Sequence, residues 1–407
     1  MSPGEHAARL ATQAEREMWV LSRGVGPGRG LVAFAHLRLR GSIDSGRLVD
    51  AVARLVTARH EFTSRFAFRP DGLVVEQGGS GAATVTTFSA TTPIRDVQEA
   101  VGSKRFDLAE GPVCHAGVRI DEADGTADVV IAAHHALFDG ASDEVVLKAL
   151  IACYESRSPN DLVAAEAATG SRGGGGSVAA RARDLADVPD LPALEQLSFR
   201  DLLHRPGAWT SGDLATITHE DVVACARTRR VTPYAVYLAA FGAAVGRVTG
   251  SRRFAIGIAL ARRTEAERNI IGCFVRLVPV RIDLDAPSLL PAVWDDLGRA
   301  MASPSIGFSD WGGTRRSPDP SRMPLFQACF SYQGWKRETV VASGVTFTTR
   351  HIRELGCHAE YFGEVVLEGQ DLQAGFSTPE GNAWHAQRGE LAVGYAESLA
   401  ALIGGRL

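Results

Sequence analysis

The chain has 407 residues, 45% of them hydrophobic and 22% charged, which is the make-up of a globular protein long enough for two or three domains. With 43 Lys plus Arg against 47 Asp plus Glu the formal net charge is -4, so no general attraction to nucleic acid or to an anionic membrane is expected. No stretch reaches the roughly 18 apolar residues of a membrane span, and the six cysteines (Cys114, Cys153, Cys225, Cys273, Cys329, Cys357) show neither CxxC nor zinc-like spacing, so a reduced, cytoplasmic protein without a bound metal is expected.

In chain order, Leu10, Ala14, Met18 and Leu21, with Trp19 beside them, predict an amphipathic helix ending before the glycine-rich residues 24–30. Residues 31–39 alternate as a strand, with His36 and Arg38 facing solvent. Asp44 or Ser45 caps a helix whose apolar face is Leu48, Val52, Leu55 and Val56, and Arg59, His60 and Glu61 read as its solvated end. Phe106, Asp107, Leu108, Gly111 and Pro112 form a turn into the next strand.

Residues 129–133 are a short continuous apolar run, read as a strand buried on both faces, which empties into His134-His135-Ala136-Leu137-Phe138-Asp139-Gly140. Ser142 then offers an N-cap, and Val146, Ala149, Leu150 and Cys153 lie on one helical face. Taken alone, the two histidines read first as hydrogen-bonded packing residues, with Asp139 as a turn former. They read second as a proton-handling site, since an unperturbed imidazole titrates near neutrality. A shared metal fits less well, because adjacent histidines on a strand point to opposite faces.

From 158 to 192 the apolar pattern fails, and Gly170 and Gly173 to Gly176 give the composition of a flexible linker. These glycines have no following Lys-Ser/Thr and no preceding strand, so they are not read as a phosphate loop. The chain therefore divides into a lobe of residues 1–165, a linker of 166–192 and a lobe of 193–407. The second lobe opens with capping-box spacing at Thr218 and Asp221 and with Thr232-Pro233, and Gly250 ends the second helix. Strands are read at 254–260 and 360–367, and a closing helix at 390–403.

The run HHALFDG resembles the HHxxxDG signature of the condensation-domain superfamily of nonribosomal peptide synthetases, relatives of chloramphenicol acetyltransferase, and matches it at every fixed position. Other segments resemble the family in its order along the chain: residues 10–21, residues 55–66, the FDLxxGP-like turn, Arg263-Thr264 with Ile271-Gly272-Cys273-Phe274-Val275, and residues 321–327. Departures are also present. Thr63 and Ser64 stand where an arginine usually follows Glu61, Arg276 and Met323 replace common asparagines, and the aromatic motif of the crossover has only a degenerate candidate at 198–209.

The resemblance implies an α/β protein of two chloramphenicol acetyltransferase-like lobes, each a two-layer α+β sandwich, set in a V around a central tunnel. It implies His135 as general base or as the acceptor that orients the attacking amine. His134, Asp139, Gly140 and Arg263 would shape the active site, with Asp139 pairing Arg263 across the lobes and a backbone amide near Gly140 as oxyanion donor. Ser331 and Gln333 are substrate-facing candidates. The function implied is that of a free-standing condensation enzyme that joins an acyl or aminoacyl thioester on a carrier protein, supplied in trans, to a small-molecule amine. No cofactor is bound, and phosphopantetheine or coenzyme A enters as the substrate's arm. The alternatives are an ester-forming O-acyltransferase acting on an alcohol and a non-catalytic recruitment domain of an assembly line.

Overall fold

The computed structural model describes residues 8–25, 28–79, 83–161, 181, 184–214, 217–261, 263–302, 319, 321–323, 325–334, 337–369 and 371–406. The linker glycines of 170–176 lie outside them. The chain divides into two compact α/β units.

The elements follow from local sequence. A two-residue strand β1 (Arg9–Leu10) precedes α1 (Gln13–Val25), whose start is a reciprocal cap: the Glu15 N–H donates to Thr12 Oγ1 at 3.2 Å and the Thr12 N–H to Glu15 Oε2 at 2.7 Å. Then come β2 (Val32–Gly41) and α2 (Ser45–Ala58), where Asp44 Oδ1 accepts from the Arg47 N–H at 2.9 Å. The hairpin β3 (Ser64–Arg69) and β4 (Gly72–Gln77) follows, then β5 (Val85–Phe88), α3 (Ile94–Gly102), β6 (Cys114–Asp121), β7 (Thr126–His134) and α4 (Ser142–Tyr154). The second half runs α5 (Phe199–His204), β8 (Gly207–Gly212), α6 (His219–Arg229), α7 (Pro233–Thr249), β9 (Arg253–Ala261), β10 (Val275–Asp283), α8 (Leu289–Ala302), β11 (Ala328–Gln333), β12 (Thr339–Ala342), β13 (Val345–Arg350), β14 (Tyr361–Glu368), β15 (Asp371–Pro379) and α9 (Asn382–Ile403). Thr218 and Asp221 cap α6 reciprocally, Thr232 caps α7 ahead of Pro233, and Gly250 ends α7 at φ 70°, a left-handed conformation that costs glycine little.

The first unit comprises Met1–Ser171, Ala261–Val275 and Arg337–Leu355. This corrects the expectation of a contiguous lobe from 193 to 407: two later segments pack with the early chain. Its six-stranded sheet has the order β12-β13-β2-β7-β6-β5, in which β13 lies antiparallel to β2 with Val345 opposite Gly41 and Arg350 opposite His36. Ala35, Leu37, Leu39 and Ile131 meet α2 and α4 on one face, and Val32, Phe34, Val130 and Ala132 meet α3 on the other. Because β2 and β7 are covered on both faces, His36 is buried and not solvated as its alternation suggested. It lies 2.7 Å from Asp128, which also pairs Arg119 at 2.5 Å.

The second unit comprises Arg172–Leu260, Arg276–Lys336 and Gly356–Leu407. Its sheet has the order β10-β9-β11-β14-β15-β8, with β11 parallel to both β9 and β14. Phe241 and Val245 of α7 and Leu391, Tyr395 and Leu399 of α9 pack against Ile256, Phe330, Val365 and Phe376 on one face. The buried pair Arg322–Glu360, bidentate at 2.7 and 2.8 Å, fixes the segment before β11, and Arg322 also donates to the Leu191 carbonyl at 2.8 Å. Among the described residues no single helix is long and apolar enough to cross a membrane.

Candidate active site

Strand β7 is buried along almost all of its length and pairs with β2 and β6, so its end is held in a fixed position. It delivers His134 and His135 into a short 3-10 turn (His135–Leu137), whose Ala136 and Leu137 are buried with Phe66, Met18 and Trp19. Phe138 stacks on Phe62 with ring centroids 6.5 Å apart. Gly140 is exposed.

The two imidazoles differ sharply. His134 is 2% exposed, and its Nδ1 accepts the Ala136 N–H at 3.1 Å, so the ring proton of the neutral form sits on Nε2. Burial, with His135 as a second cause, pushes its pKa down to about 3, and among the described residues Nε2 has no partner. His134 therefore stays uncharged and locks the turn. His135 is only half-buried, and its Nδ1 lies 3.9 Å from Cys273 Sγ.

Asp139 is 1% exposed and accepts from every side. Its Oδ1 takes the Arg263 Nη2 donor at 2.6 Å, the Ser142 N–H at 3.1 Å and the Ser142 hydroxyl at 3.0 Å, and its Oδ2 takes the Phe274 N–H at 2.9 Å. Ser142 is thus the first residue of α4 and not its cap: Asp139 supplies the capping oxygen from three residues earlier. Arg263 also donates to the carbonyls of Glu267 at 3.0 Å, Ile270 at 2.5 Å and Gly272 at 3.1 Å, and lies 4.4 Å over the Phe274 ring. The pair lies within the first unit, because Ala261–Val275 belongs to it, which corrects the expectation of a bridge across lobes.

The other side of that segment is held by residues read from sequence as a solvated helix end. Arg59 is 0% exposed, pairs Glu61 at 2.7 Å and donates to the carbonyls of Asn269 at 2.9 Å and Pro159 at 2.6 Å. Glu61 accepts the Ile271 N–H at 3.0 Å. Five donors fixed in one plane let an arginine serve several acceptors at once, which is how it is buried without loss of satisfaction. Asp143, next along α4, is also buried; its pKa rises to about 8 because desolvation exceeds the pull of Arg337, 3.8 Å away.

The structure thus brings His134, His135, Asp139, Gly140 and Arg263 together in the first unit, while Ser331 and Gln333 are half-buried on β11 of the second. Sequence reasoning missed Cys273 beside His135, having read the cysteines only for metal-like spacing, and it missed the Arg59–Glu61 clamp. Among the described residues no group of three or more His, Cys, Asp or Glu side chains is placed to hold a metal ion.

Two α/β units, one carrying HHALFDG at the end of a central buried strand, define a condensation-type fold. A family model described as the Condensation domain matches residues 209–358. The chain is 24% identical over 352 residues to the AMB antimetabolite synthetase AmbB of Pseudomonas aeruginosa, covering 82% of this chain and 28% of that protein. The SgcC5 protein of Streptomyces globisporus superposes with a TM-score of 0.73 at 15% identity, covering 97% of this chain and 99% of the other. The starter condensation domain of rhizomide synthetase RzmA, solved with C8-CoA, gives 0.73 at 16% identity, with 96% and 94% covered. In fold and in its HHALFDG run the chain is similar to condensation domains, and the Condensation model covers part of its second half. The chain spans under a third of the length of the synthetase AmbB.

Proposed function

We propose that this protein transfers an acyl or aminoacyl group from a carrier-protein-bound thioester to an amine, forming an amide. The observation that carries the reading is the asymmetry of the histidine pair: His134 is buried and neutral, while only His135 is open to solvent at the end of a fixed strand. In the proposed reaction the acceptor nitrogen attacks the thioester carbonyl, a C–N bond forms and the C–S bond breaks. The nitrogen's proton passes to His135 and then to the departing phosphopantetheine thiolate, so the thiol leaves and the imidazole is restored. A backbone amide near Gly140 is the proposed donor to the tetrahedral oxyanion. Asp139, Ser142 and Arg263 hold the loop and do not touch the reacting atoms.

The carrier is proposed to come as a separate protein, and the reaction to run in the reducing cytoplasm. The second part is supported by six buried cysteines, all free. Ester formation is a second reading, favoured by one observation: SgcC5 was solved with a 1,2-ethanediol derivative, an alcohol. Ser331 and Gln333 are kept as proposed substrate-facing residues.

The test is mass spectrometry of the purified protein with acyl-loaded holo carrier proteins, the same acyl groups on coenzyme A, and a panel of amines and alcohols. Amide from carrier-bound donors alone supports the reading. Ester as the sole product replaces it with the second. Turnover of a free acid with ATP, or loss of turnover to a chelator, would overturn both.

A further inference from the structure

The chemistry just proposed needs a lone pair on His135 Nε2, and in a neutral imidazole that places the ring proton on Nδ1. That N–H sits on the side of the half-buried ring that faces Cys273, where an acceptor fixes it. In most histidine bases this is a carboxylate, but the nearest acid in the loop, Asp139, has both oxygens occupied by Arg263, Ser142 and Phe274. The atom lying 3.9 Å from Nδ1 is the sulfur of Cys273, which is 3% exposed. The same sulfur lies 4.0 Å from the Val275 carbonyl oxygen, so one thiol has an acceptor for its own proton and a lone pair left over.

We infer that Cys273 is a positioning residue for His135: its S–H is directed to the Val275 carbonyl, its sulfur receives the Nδ1–H, and the imidazole is thereby held as the tautomer whose lone pair lies on Nε2. Burial raises the thiol's pKa far above neutrality, and the negative charges of Asp139 and Glu15 add to it, so the sulfur keeps its proton and acts as a neutral group. Sulfur contacts are weak, but selecting between two tautomers of similar energy requires only a small bias. The contact is also placed to last. Cys273 follows Gly272, whose N–H donates to Ser142 Oγ, and precedes Phe274, whose N–H donates to Asp139, so both peptide neighbours are anchored to the histidine loop itself. A neutral sulfur in place of a carboxylate has one further effect: it orients the ring without stabilising the imidazolium.

This inference rests on the base role proposed for His135, and its test does not require turnover. Protein labelled with 15N in histidine is examined by long-range 1H–15N correlation, with the His135 ring assigned from a His135→Gln variant. The expected wild-type signature is a protonated Nδ1 and an unprotonated Nε2, and in Cys273→Ala the two nitrogens move towards averaged shifts. In amide-forming assays Cys273→Ala should lower kcat roughly two- to tenfold with little change in KM, as loss of one neutral hydrogen bond allows. Cys273→Ser, which keeps both a donor and an acceptor, should recover most of that loss. A wild-type His135 protonated on Nε2, or a ring spectrum unchanged by Cys273→Ala, overturns the inference. Undiminished turnover in His135→Ala would instead remove the base role and leave the tautomer result standing, so the two failures are distinguishable.

Discussion

Replacing Asp139 by alanine removes the acceptor of a partly buried guanidinium and of two backbone amides at once. Arg263, 12% exposed, would lose its 2.6 Å counter-charge, and the N–H groups of Ser142 and Phe274 would lose theirs. Stranding one member of a buried ion pair costs roughly 3–5 kcal/mol. Arg263 retains the carbonyls of Glu267, Ile270 and Gly272, which places the pair at the lower end of that range. The two amides add about 1 kcal/mol each, and water entering the space returns part of this, so a net loss of about 4 kcal/mol is expected. That is roughly a thousandfold in the folded-to-unfolded ratio. Asp139→Asn keeps the shape and one acceptor but not the charge and should lose about half as much. Urea unfolding at neutral pH, followed by circular dichroism for Asp139→Ala, Arg263→Ala and the double variant, measures the coupling. The reasoning fails if Asp139→Ala lies within 1 kcal/mol of wild type, or if the two single losses simply add in the double variant.

His135→Ala should lower amide formation about 100- to 10,000-fold while leaving the urea midpoint unchanged; full activity would take the residue out of the mechanism. The pKa of His134 is depressed on folding, so its stabilising contribution is complete above the ordinary value of 6.5 and is lost as pH falls towards about 3, at about 1.4 kcal/mol per pH unit. Stability measured from pH 7 to 4 should therefore fall less steeply in His134→Gln than in wild type, and parallel curves would refute this. Asp143 titrates the other way: its carboxyl, held at about 8, favours the fold below the ordinary 3.8 and loses that advantage as pH rises through 8. Asp143→Asn should accordingly gain stability over wild type at pH 9 and none at pH 4, whereas an equal difference at both would contradict the assignment.

The locally determined features were legible in sequence. The run at 129–133 is the central part of β7, Asp44 caps α2, and Thr218 with Asp221 caps α6, because each depends on residues within a turn of one another. What failed depends on partners far along the chain. His36 alternates like a solvent-facing residue, yet it is buried because α3 and the strands around β2 cover that face, and Asp128 supplies its hydrogen-bonding partner. Arg59 carries the local signature of a helix end, and only Asn269, Pro159 and Glu61 account for its complete burial. Cys273 was visible as a residue of an IGxFV-like block, but nothing in its own neighbourhood along the chain announces a histidine at position 135. The assignment of 261–275 and 337–355 to the first unit was hidden for the same reason.

The pairing of β13 with β2 bears on the order in which the protein is made. Val345–Arg350 completes a sheet begun by Val32–Gly41, so some three hundred residues must be synthesised before that edge of β2 is covered. At a ribosomal rate of about 5–20 residues per second the strand waits on the order of tens of seconds with its hydrogen-bonding groups open to any other extended segment. The nascent chain in that interval also lacks Arg263, Asn269 and Ile271, so Asp139 has no counter-charge and the Arg59–Glu61 pair lacks its later partners while the histidine loop is already present. A fragment ending near residue 171 reproduces this intermediate permanently, and it is expected to aggregate, whereas supplying residues 261–355 as a second polypeptide should rescue solubility by closing the sheet edge and the buried charges together.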